Sequence, residues 1–189
     1  MSFPTSPVFN SLSPTSNNPT LKSTSLSGRV QTRKMAGQYW SFTATYPPLK
    51  QVDFNPVKAF VVDQEGEHGI FTIVLPTEST TSGTAGGTVT CSTTAKGLGS
   101  VTVAGLTGTL KAGDFVKFSG HNKVYMVTAD RSGAGALAIT PSLVEAVTSS
   151  DTVTYTAVPF TVRFAGDTQS WQLGVSGFYK YEVDFVEAL

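Results

Sequence analysis

Apolar and polar side chains alternate most cleanly near the two ends of the chain. Tyr179, Tyr181, Val183 and Phe185 fall on one face of a run whose other face carries Lys180, Glu182 and Asp184. A period of two with one apolar face predicts a half-buried β-strand. Two more runs share the period: Trp40, Phe42, Ala44 and Tyr46, then Val158, Phe160, Val162 and Phe164. Together they predict a sheet built from both ends of the chain, with the middle held between them. Residues 30–35 alternate loosely before Ala36-Gly37, so 28–46 reads as two strands joined by a tight turn near 35–38. Pro47-Pro48 then stops the second strand, because proline cannot donate to a ladder.

The period changes once. Asn55 suits an N-cap and Pro56 a first helical position. Val57, Phe60 and Val61 share a face, and Gly66 is placed to end the helix in a left-handed conformation. The spacing predicts a helix over 56–65; the β-branched pair Val61-Val62 makes a strand the alternative. The nearly all-apolar run 70–75 predicts a strand covered on both faces.

Residues 76–87 are Thr, Ser and Gly by texture, the composition of a flexible linker. Short strand candidates follow at 88–92, 100–104, 114–119, 124–129, 136–140 and 152–155, separated by turn residues as in a small barrel. The expected organisation is a β domain made of 29–78 and 157–189, with 79–156 inserted as a separate β-barrel. Expected core residues are Trp40, Phe42, Phe60, Phe71, Phe160, Tyr181 and Phe185. Residues 1–28 are rich in Ser, Thr, Pro and Asn, a composition that buries little. They read either as a disordered tail or as an extended arm that orders on a neighbouring subunit through Phe3, Val8, Phe9 and Leu12.

Composition supports the strand reading. Charged residues are 14% of the chain, well under the usual quarter or so, and Thr, Ser and Gly take their place. Thirteen basic and 13 acidic side chains balance. A net charge of zero gives no reason to expect nucleic-acid or membrane binding, and little repulsion between copies. With neither a leader pattern nor an apolar run of membrane-spanning length, a soluble product made in a cytoplasm is expected.

Chemistry is sparse. Cys91 stands alone, and it lacks the basic neighbours that activate a thiol. His68 and His121 lie in glycine-flanked turns without ligand spacing, and both are expected to be solvated. Glu182 and Asp184 read as the wet face of a strand. No catalytic, cofactor or metal site is expected. Trp40, Trp171, Tyr39, Tyr179 and Tyr181 invite a sugar-stacking reading, but core packing is the commoner use of aromatics at strand spacing.

The order of these segments resembles a family. Phe54-Asn55-Pro56 through Leu75 looks like the helix-then-strand step of tail-tube and distal tail proteins of tailed bacteriophages. The ending Phe178-Tyr179-Lys180-Tyr181-Glu182-Val183-Asp184-Phe185-Val186-Glu187 looks like their closing strand. The Ser/Pro/Asn-rich start leading to Arg33 and Tyr39-Trp40-Ser41-Phe42 is similar in style. The segment around Lys111-Ala112-Gly113-Asp114 and Phe118-Ser119-Gly120-His121-Asn122-Lys123-Val124-Tyr125 resembles small barrels of phage virion proteins, some of them OB- or SH3-like. The resemblance implies a mainly β fold: a tail-tube-like sandwich or split barrel with one short helix, plus the inserted barrel. It implies a non-enzymatic structural role in the virion tail, at the tip or baseplate, assembled in the host cytoplasm. It also implies a homo-oligomeric ring, six being the family's number, with tube, hub and tape-measure proteins as partners. The alternative expectation is a carbohydrate- or receptor-binding module acting through the barrel.

Overall fold

The computed structural model describes residues 1–189. In chain order the first strands are β1 (Ser11–Asn17), β2 (Thr20–Thr24), β3 (Val30–Lys34) and β4 (Tyr39–Thr45). Helix α1 (Gln51–Asp63), a 3-10 turn (Gly66–His68) and β5 (Phe71–Val74) follow. The middle carries β6 (Val89–Cys91), β7 (Ser100–Ala104), β8 (Thr109–Leu110), β9 (Phe115–Phe118), β10 (Val124–Val127), β11 (Arg131–Ser132), β12 (Gly135–Thr140) and β13 (Thr152–Thr154). The chain finishes with β14 (Pro159–Phe164), β15 (Trp171–Leu173) and β16 (Tyr179–Glu187). The fold is mainly β with one α-helix, as the alternation predicts. Two compact units form: Phe3–Ile70 with Val162–Glu187, and Phe71–Thr161 with the residues at the two chain ends.

In the first of these units the strands run β1-β4-β16-β14, with β15 pairing the start of β16. β16 is a central strand. It binds β4 in the register Phe42↔Phe185 and β14 in the register Phe164↔Phe185. Its odd-numbered residues Tyr181, Val183 and Phe185 are buried, as their period predicts. The phase runs on to Glu187, a carboxylate at only 4% exposure, whose Oε2 accepts the Trp40 N–H at 3.0 Å. Trp40, Phe42 and Ala44 are buried on the same period in β4, and Tyr46, just past its end, is buried in phase with them.

Helix α1 differs from its prediction. It starts five residues earlier, and Pro56 lies inside it. The Lys50 carbonyl accepts the N–H groups of Asp53 and Phe54, which sets the first turn without a side-chain cap. The proline removes the bond to the Val52 carbonyl, but Val52 is exposed, so water can serve that oxygen. The buried residues are Phe54, Val57 and Val61. Phe54 packs on Trp171, Tyr179 and Tyr181. Phe60 is half-buried and meets Phe3 edge to face. The left-handed break comes at Glu65, with Gly66 also at positive φ.

Residues 28–46 do not form the expected hairpin. β3 pairs with β2, and β4 pairs with β1. The two ladders continue one another: Ser11↔Thr45 runs to Asn17↔Tyr39, and Thr20↔Lys34 runs to Thr24↔Val30. Residues 11–45 are therefore one long antiparallel ribbon. Pro14 is tolerated because β1 is an edge strand. The apolar residues of the N-terminal stretch scatter. Phe3 is buried in its own subunit against Phe9, Phe60 and Phe185. Phe9 and Leu12 are half-buried, and Val8 is exposed.

The other unit holds a closed antiparallel barrel in the order β10-β12-β7-β6-β13-β9, each predicted strand within a residue or two of its expected place. Val89, Val101, Leu110, Val116, Phe118, Tyr125 and Leu137 fill it. Phe71 and Phe160 are buried in this unit, and Phe160 meets Phe115 edge to face. β5 is covered on one face only, since Phe71, Ile73 and Leu75 are buried while Ile70 and Val74 are exposed. The segment 76–87 is pinned, not a free linker. Ser79 is buried and accepts the Leu75 N–H, and Thr81 and Ser82 bind Asp114. Thr77 and Ala157 both sit at positive φ, an uncommon setting for side chains with a Cβ.

Candidate functional site

The residues that sequence chemistry would nominate are consumed by structure. The turn histidine His121 is buried, contrary to the expectation of a solvated ring. The Val144 N–H donates to the Tyr125 hydroxyl at 3.2 Å. That hydroxyl lies 3.0 Å from His121 Nδ1, and Nε2 lies 3.4 Å from the Ala146 carbonyl. Each donor is satisfied when Tyr125 donates to Nδ1 and Nε2–H donates to Ala146. This relay fastens the turn after β9 to the loop after β12, and leaves neither ring nitrogen for a metal or substrate.

Asp114 works in the same way. Its carboxylate accepts the Thr81 hydroxyl, the Ser82 N–H at 2.8 Å, the Ser82 hydroxyl at 2.7 Å and the Lys111 N–H at 2.8 Å. Burial pushes its pKa up, and these four bonds outweigh burial, so the group lies below the ordinary carboxylate value. Asp130 ties Lys111 Nζ at 2.7 Å and the Ala112 N–H at 2.9 Å. Cys91 is buried, with its sulfur against the carbonyls of Thr148 and Asp151. Burial, then the Asp151 charge, raises its pKa, the opposite of an activated thiol.

A groove of about 450 Å³ in the open-sheet unit is lined by Thr45, Tyr46, Ser170, Gln172, Lys180 and Tyr181 among others. Tyr46 and Tyr181 are stacked 6.0 Å apart, but they are only 3% and 2% exposed, so neither offers a face to a sugar. Burial first, and for Tyr46 the neighbouring Tyr181 as well, raises both phenols above the ordinary tyrosine value. Trp171 already carries Lys58 Nζ 5.1 Å from its ring centre.

What remains open is the outer half of the ribbon. All ten residues of β2 and β3 are exposed. Thr20, Lys22 and Thr24 share one face with Val30, Thr32 and Lys34; Leu21 and Ser23 share the other with Gln31 and Arg33. Neither face has an apolar stripe to bury. The tip closes through Gly28 N–H to the Ser25 carbonyl at 2.9 Å, with Gly28 at positive φ and Leu26 fully exposed. Each strand pairs only with the other, so both outer edges keep free backbone donors and acceptors. Lys22, Arg29, Arg33 and Lys34 give the ribbon four positive charges, and no Asp or Glu precedes Asp53 in the chain. That run without acids was the readable signal for this site.

Comparison with known proteins agrees with this picture of a structural surface. One family model, the N-terminal part of the A domain of distal tail protein pb9, matches residues 3–77. A second, the B domain of the same protein, matches residues 77–158. The chain belongs to this family and is a distal tail protein of a tailed bacteriophage, a structural component of the virion tail. A curated relative, distal tail protein pb9 of Escherichia phage T5, is 25% identical over 178 residues, covering 90% of this chain and 87% of the relative.

Proposed function

We propose that this chain is a ring-forming subunit at the tail tip, six copies closing the ring, and that it has no catalytic role. The observation that carries the reading is the exposed ribbon. A two-stranded hairpin with no apolar face is marginal in water, so contact with another surface is what gives it a fixed place. Two edges with unpaired backbone groups, and no net charge to drive copies apart, favour self-association. A single kind of head-to-tail contact repeats from copy to copy and closes when the rotation permits. Tube, hub and tape-measure proteins are the neighbours proposed for the ring's faces. We also propose the domain division read from the sequence, with 79–156 as the inserted barrel, because a closed six-strand barrel is made from residues within that span.

The test is cryo-EM of the assembled particle. The expected result is a closed ring of identical subunits at the distal end of the tail. Isolated single copies, with no contact between like chains, refute the reading.

A further inference from the structure

We infer that the β2–β3 ribbon of one copy docks on the corner formed by the end of α1 and the 3-10 turn of a second copy, through opposite charge. The inference rests on the ring reading above and says where one subunit grips the next. The ribbon offers Lys22, Arg29, Arg33 and Lys34, all exposed. None has an ion-pair partner in its own subunit, unlike Lys111, which pairs with Asp130 elsewhere in the chain. Within the open-sheet unit the matching charge lies at the far end of α1: Asp63, Glu65 and Glu67, with Asp167 donated by the loop after β14. Asp167 Oδ1 accepts the Glu67 N–H at 3.3 Å, which places the fourth carboxylate at the 3-10 turn that carries Glu67. All four are exposed and lack a cation.

Two features turn this match into an argument for an occupant. The end of a helix carries partial negative charge and favours cations, yet the last turn of α1 has no basic residue. Its carboxylates therefore sit where an outside cation gains from helix and side chains together. The ribbon has the reverse deficiency: four cations, no acid and no buried face. A nucleic acid would meet only the ribbon and leave the acidic corner unexplained.

The experiment is sedimentation of the full-length chain over a concentration series, with circular dichroism to confirm folding. Variant one carries Lys22→Glu, Arg29→Glu, Arg33→Glu and Lys34→Glu. Variant two carries Asp63→Lys, Glu65→Lys and Glu67→Lys; Asp167 is kept because it holds the Glu67 N–H. The wild type should associate, and more weakly as salt rises. Each variant alone should lose association by about 100-fold or more, and an equimolar mixture should recover it, since each kind of arm then meets a complementary corner. An arm-reversed variant that associates like the wild type overturns the docking while leaving the ring intact. A wild type that stays monomeric throughout, or that is retained on a DNA duplex without associating, also overturns it; the particle structure then decides the ring separately.

Discussion

The closed barrel and the open sheet are made from the same kind of strand and treat their edges differently. In the barrel, β13 pairs with both β6 and β9, so no strand is left with a free side. In the open-sheet unit β1 remains an edge, and its continuation β2 leaves the sheet to run as a bare ribbon with β3. Closure makes a region self-sufficient. An open sheet keeps unused hydrogen-bonding groups, and here unused charge as well. The barrel should therefore answer to its own core and relays, and the ribbon to other molecules.

The largest expected effect is on the barrel core. Phe118 is fully buried, and Phe118→Ala should cost about 3–5 kcal/mol in urea unfolding. Trp40→Ala in the open sheet should cost a similar ~3–5 kcal/mol. A negligible loss at either site would remove that residue from the core. Next comes the carboxylate that pins 81–82 and the turn before β9. Asp114→Ala strands the Ser82 and Lys111 N–H groups and the two hydroxyls, a loss of about 2–3 kcal/mol.

The same group sets a pH response. The Asp114 pKa is lowered in the folded chain, so its contribution is fully present above the unfolded carboxylate value of about 3.9. It fades as pH falls through the lower folded value. Thermal melts of wild type and Asp114→Asn should therefore differ most above pH 5 and converge in strong acid; a constant gap would show that charge is not the issue. His121→Phe should cost about 1–2 kcal/mol by leaving the Tyr125 hydroxyl and Ala146 carbonyl without the ring. The smallest effect belongs to the ribbon. Replacing 20–34 by a two-residue turn should shift subunit stability by no more than about 0.5 kcal/mol. A larger loss in the unfolding curve would mean that the ribbon supports its own subunit.

The contrast also explains what the sequence made legible. Strands with one wet and one dry face declare themselves, so β4, β16 and all six barrel strands stand near their predicted places. β2 and β3 bury nothing, and a reading based on apolar alternation passes over them. The sharp turn expected at 35–38 is a junction between two ladders, and the true tip lies at 25–28. Proline favours a first helical position and so points a reading of the sequence to residue 56, while backbone bonds to Lys50 fix an earlier start. Glu187 holds the phase of its strand, and the Trp40 amide that bonds its carboxylate is brought to it only across the folded sheet. A glycine neighbour makes His121 read as wet, since Tyr125, Val144 and Ala146 come together around it only in the fold.

The central place of β16 has a consequence in time. Its partners across β4 are more than a hundred residues earlier in the chain: Thr43 bonds Asp184 over 141 positions, and Trp40 bonds Glu187 over 147. Barrel partners such as Val124 and Lys117 are separated by one short turn. Contacts between distant residues form late, because a long loop must close first. On a ribosome the barrel strands emerge before β16 does, and until β16 arrives β4 and β14 have nothing between them. A chain cut short before Tyr179 therefore lacks the middle of its sheet.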